Sequence, residues 1–121
     1  MRSIFFALSI ALVGCNATQD AVSSSMQLST PEEFATLIGK RLELNPSDYV
    51  VINADGTLAG EFGGVDTRGT WTIKEGYFCR ELTSGPRGAS PEDCQLFVKD
   101  GDTLNITRER GAGASFQYKI V

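Results

Sequence analysis

The chain has no histidine and three cysteines, Cys15, Cys79 and Cys94. Without histidine it lacks the commonest general base near neutral pH, the Ser–His and Cys–His nucleophile pairs, and the usual ligands of zinc and copper. Acid–base or ion chemistry is left to carboxylates and guanidinium groups. Glu92-Asp93 and Asp100/Asp102 have the spacing to hold calcium or to work as an acid–base pair. Both pairs fall where the chain has to turn. Asp100-Gly101-Asp102 reads as a hairpin turn and Glu92-Asp93 ends a loop, so solvated carboxylates are the expectation there.

Arg80 is a different kind of candidate. It alternates with Phe78 and Leu82, so the three share one face of a strand. If that face points inward, a guanidinium enters apolar surroundings and needs a partner. Trp71, on the preceding strand, is placed to stack on it. Trp71, Phe78 and Arg80 then form a candidate ligand pocket in which the arginine reads an anionic head group. If Tyr77 and Cys79 define the inner face instead, Arg80 is solvated. Arg108 and Arg110 flank Gly111–Ala114, either as a basic rim or as a polar strand end. The remaining aromatics, among them Phe97, Phe116 and Tyr118, are expected to pack the core.

The elements that must position these residues read clearly. Thr30-Pro31-Glu32-Glu33 is a helix start, with a Thr-x-x-Glu capping box and proline at the first helical position. Phe34, Leu37 and Ile38 form its apolar stripe, and Gly39 ends it. From Val50 onward apolar and polar residues alternate with period two, broken by Asp55-Gly56, Glu75-Gly76 and Asp100-Gly101. Arg41 to Leu44 adds a possible further strand. This predicts a mainly β domain over residues 29–121: a short helix, then seven or eight antiparallel strands in a meander. A small barrel or half-barrel disposes of the exposed edges. The one long connection is expected over Thr83 to Asp93, where glycine and proline cluster.

Ahead of the domain, Arg2 is followed by an apolar run from Ile4 to Val13 and then Gly14-Cys15. A basic start, a short apolar stretch and small residues at its end make a secretory leader, too short to span a bilayer. Leu12-Val13-Gly14-Cys15 resembles the lipobox of bacterial lipoproteins. That resemblance implies a signal peptide over 1–14, an acylated Cys15 as the first mature residue and attachment to the envelope membrane, with the outer membrane facing the periplasm as the expected place. Residues 15–28, rich in serine, read as a flexible tether. With Cys15 committed to lipid, Cys79 and Cys94 remain in a compartment that permits a disulfide, and one intramolecular pairing is open to them. The whole chain carries 11 basic and 15 acidic residues, a net charge of −4. An acidic chain argues against nucleic acid and against a polybasic membrane mode.

A second resemblance rests on Phe34 to Leu42, Asp55 to Gly60, Gly69-Thr70-Trp71, Gly76-Tyr77-Phe78-Cys79-Arg80, Cys94-Gln95 and Arg110 to Gly113. Together they resemble short secreted alphaproteobacterial proteins with a lipocalin-like look and no assigned activity. Some of these carry a dihydrodipicolinate reductase label, which the residues do not support. A nicotinamide site needs a Gly-x-Gly-x-x-Gly turn between a strand and a helix. Gly111-Ala112-Gly113-Ala114-Ser115-Phe116 lacks the third glycine and leads into a strand. No cofactor and no enzyme activity are expected. The function expected is binding of a small apolar or amphiphilic ligand or of an envelope protein. The alternative is inhibition of a lytic enzyme or protease through the loop over 83–93.

Overall fold

The alternating segments pair in chain order, and the last of them returns to the first. The computed structural model describes residues 25–121. In it β2 (Arg41–Asn45), β3 (Asp48–Ile52), β4 (Thr57–Phe62), β5 (Val65–Lys74), β6 (Tyr77–Ser84), β7 (Ser90–Asp100), β8 (Thr103–Thr107) and β9 (Ser115–Ile120) form one antiparallel sheet. The sheet closes where Leu42 and Glu43 of β2 pair with Ile120 and Lys119 of β9. Arg41 and Val121 exchange backbone hydrogen bonds beyond that point. The expected meander is therefore a complete eight-stranded barrel, which has no open edge.

Closure demands sharp curvature, and two inward-facing glycines supply it. A Cβ at Gly60 would lie 2.0 Å from the Tyr49 carbonyl oxygen, and one at Gly69 would lie 2.2 Å from that of Glu81. Neighbouring backbone comes closer at these points than any side chain permits. The Glu75-Gly76 hairpin is as tight as its sequence suggests, with both residues at positive φ.

The helix α1 (Pro31–Ala35) covers one end. Its capping box forms as read: Glu33 N–H donates to Thr30 Oγ1 at 3.2 Å, and the Glu33 carboxylate accepts from Ser29 N–H and Thr30 N–H at 2.8 and 3.1 Å. Those backbone donors hold the Glu33 carboxyl below its ordinary pKa. The regular helix is shorter than expected. It gives way after Ala35 to tighter turns, and the chain leaves through Gly39 at φ 80°. Phe34 and Leu37 are buried and plug this end of the barrel.

Two expectations change. The tether does not extend to Leu28: Ser25–Leu28 is a strand, β1, paired antiparallel with residues 97–100 of β7. β7 continues past the point where β6 begins, and β1 takes up the backbone groups left unpaired on that edge. Leu28 is thereby fully buried. The signal peptide, Cys15 and the rest of the tether lie outside the described residues. The connection expected over Thr83–Asp93 is also shorter, because β6 and β7 run into it and leave only residues 85–89 between them.

Cys79 and Cys94 are directly opposed on β6 and β7 and form the disulfide, with a Cα separation of 3.8 Å. The bond crosses the ladder within paired strands rather than at the base of a loop. Cross-linking residues 15 apart restricts the unfolded chain by roughly 3 kcal/mol. Replacing both cysteines, Cys79→Ala with Cys94→Ala, should lower the melting temperature by roughly 10 °C or more in a domain of this size. Thermal unfolding followed by circular dichroism, with and without reductant, checks this. An unchanged midpoint contradicts it.

Candidate functional site

The barrel interior is filled at the helix end and open toward the other. At the filled end Phe78 stacks between Trp71 at 5.4 Å and Phe97 at 4.6 Å, and Phe34 leans on Phe78 and Phe97 at 6.1 and 5.5 Å. Above this stack lies a cavity of about 580 Å³ that reaches the β6–β7 loop at Pro86 and Arg87. Its size falls within the ~300–1,000 Å³ of small-molecule sites.

The cavity has two unlike walls. β2, β3 and β4 contribute only apolar side chains: Leu42, Val50, Ile52, Leu58 and Phe62. The opposite wall brings together Arg80, Asp93, Gln95, Arg108 and Tyr118. Alternation along the strands explains the set. Phe78, Arg80 and Leu82 all line the cavity, which decides the inner face of β6 and sends Tyr77 and Cys79 to the outer one.

Arg80 stands opposite Asp93 across the β6–β7 ladder, yet the two do not form an ion pair. Asp93 is already engaged. One carboxylate oxygen accepts from Gln95 Nε2 at 2.9 Å and the other from the Glu109 backbone N–H at 3.0 Å. The second bond depends on an unusual backbone. Glu109 and Arg110 both sit in the left-handed region, at φ 54° and 56°, ahead of Gly111 at φ 96°. Such residues carry a conformational cost and collect at functional rims. Arg108 lies with its guanidinium carbon 5.1 Å from the Phe116 ring centre. Among the described residues no carboxylate comes within ion-pair distance of Arg80 or Arg108.

Burial lowers the pKa of Arg80, and the positive charge of Arg108 adds to that, while Asp93 and Tyr118 oppose it. A guanidinium remains a cation regardless. Burial raises the Tyr118 pKa against the pull of both arginines, so its hydroxyl stays neutral. The site thus presents two cations without carboxylate partners and one neutral hydroxyl, facing a hydrocarbon wall.

Of the residues singled out from the sequence, Arg80 is in the cavity wall and Phe78 at its floor. Trp71 does not stack on Arg80. It lies behind Phe78, and its indole N–H donates to the carbonyls of Asn53 and Thr57 at 3.0 and 3.1 Å. A half-buried indole is well served by such an acceptor, and the β3–β4 turn and the start of β4 provide one each. Arg110 turns outward, pairing with Glu75 at 3.0 Å and lying over Tyr77. Arg108 and Tyr118 line the cavity, although the sequence reading left Arg108 at a basic rim or a polar strand end and Tyr118 in the core. Their signal was the same alternation: Leu104, Ile106, Arg108 on one segment and Phe116, Tyr118, Ile120 on the next.

Glu92 and Asp93, expected at the end of a loop, lie within β7, and both line the cavity. Glu92 pairs with Lys74 at 2.9 Å, and Asp102 lies 4.0 Å from Lys119. Cys79, Glu92 and Cys94 cluster, but the two sulfurs are bonded to each other. The outer face of β5 carries Asp66, Arg68, Thr70, Thr72 and Lys74, all exposed. That is the reverse of a membrane-spanning barrel, whose outer band is apolar. No family model, curated protein or solved structure matches this chain.

A partly buried cation without a carboxylate partner is retained at a cost in stability. Arg80→Met keeps the length and removes the charge. In ligand-free protein it should raise stability by about 1 kcal/mol, a few degrees in melting temperature. A clear loss of stability would mean that Arg80 supports the fold.

Proposed function

We propose that this protein is a lipid-anchored binding module of the bacterial envelope that takes a small amphiphilic ligand into its barrel. The observation that carries this reading is the cavity of about 580 Å³ with one wholly apolar wall and one polar, cationic wall. A core built only for stability would fill that volume, since voids of this size weaken a small domain. The ligand-binding reading needs no catalytic group, only a shaped interior and a way in. The loop-inserting inhibitor would have to act through the five residues 85–89, and no feature of that loop favours it.

The anchor comes from the sequence. Cys15 in its lipobox-like setting, once acylated, holds the domain at the membrane, with the segment up to residue 24 as the link. The acidic net charge and the polar outer face of β5 leave lipid as the membrane contact. The outer membrane, facing the periplasm, is the place this reading assigns. There a small binding protein would hold or pass on a molecule too apolar to travel freely.

The test uses unacylated protein, Cys15→Ala, so that no detergent is needed. An environment-sensitive naphthalene sulfonate dye should bind and brighten. Leu82→Trp, which extends a side chain into the cavity, should weaken dye binding at least tenfold while the melting temperature moves little. Equal dye binding by the two proteins would place the dye outside the barrel and remove the support for this function.

A further inference from the structure

We infer that the ligand of this cavity carries a single carboxylate, seated between the guanidinium groups of Arg80 and Arg108, with its hydrocarbon along the β2–β4 wall. This deepens the reading of the barrel as an amphiphile site and rests on it. The first ground is the missing partner. Both arginines line the cavity, and neither has a carboxylate within ion-pair distance among the described residues. Asp93, opposite Arg80 on the ladder, has each carboxylate oxygen engaged, one by Gln95 and one by the Glu109 amide. Guanidinium groups in such surroundings are completed by a planar anion that accepts two parallel N–H bonds.

The second ground is charge. Two arginines against Asp93 leave one net positive charge in the interior. The rim adds none, because Glu92 is taken by Lys74, and Arg87 and Glu109 have opposite signs. One negative charge balances this site. A dianionic phosphate monoester would exceed it and face Asp93 with both charges. The third ground is the Tyr118 hydroxyl, which belongs to the same wall and can donate to a carboxylate oxygen. The fourth is the opposite wall, which has no polar side chain and so suits an alkyl chain.

The experiment compares three probes of equal chain length on the unacylated Cys15→Ala protein by calorimetry: decanoate, decanol and decyl phosphate. Decanoate should bind at least tenfold tighter than either of the others, the scale of one charge-assisted hydrogen bond. Arg80→Met should abolish the preference for decanoate over decanol. Arg108→Gln should reduce it in the same direction, so the test does not hang on one variant. Decanol binding as tightly as decanoate, or decyl phosphate binding more tightly, overturns the carboxylate assignment and leaves the amphiphile site standing. Failure of all three to bind overturns both.

Discussion

An eight-stranded sheet that closes on itself encloses an interior only about as wide as its inward side chains can fill. Everything else in this molecule follows from how that interior is shared out. At the end covered by α1, Phe34, Phe78, Phe97 and Trp71 stack into a solid floor. Toward the other end the inward positions of β4 and β5 include Gly60, Thr67 and Gly69, which are small. The two glycines let neighbouring backbones approach and the sheet turn. The glycines that admit a neighbouring backbone also leave no side chain at those inward positions.

Strands such as β5, β8 and β9 were legible because period-two alternation survives in them, and Asp-Gly and Glu-Gly marked tight turns. The capping box at Thr30 and Glu33 was legible for the same local reason. What was not legible depended on partners far away in sequence. Ser-Met-Gln-Leu at residues 25–28 has no strong strand pattern, and it becomes β1 only because β7 outruns β6 and offers an unpaired edge. Proline and glycine around residue 86 suggested a long loop, but pairing such as Leu82 with Ser90 extends the ladder into it. The face on which Arg80 lies was open in the sequence, since Tyr77-Phe78-Cys79-Arg80 is apolar on both sides. The barrel resolves this by giving the outer side to the disulfide and the inner side to Phe78 and Arg80.

The polar wall is not what stability alone would build. An arginine inside a small barrel without a carboxylate partner weakens the fold. Asp93, opposite it on the ladder, is held instead by two hydrogen bonds, one made by a residue in a left-handed conformation. A protein under pressure only to fold would let Asp93 close on Arg80 or replace both by apolar residues. The disulfide across β6 and β7 ties together the two strands that carry Arg80 and Asp93. It offsets some of that weakness and holds the register on which the polar wall depends. Stability and function are in tension here in the usual way, with the staple next to the site that needs it.

Arginine side-chain NMR tests the central claim most directly, by following the Nε–H resonances while decanoate is added to unacylated protein. Arg80 and Arg108 should shift together and saturate with the ligand, while Arg68, exposed on the outer face, stays where it is. Movement of Arg68 or Arg87 with Arg80 unchanged would contradict an anion seat inside the barrel.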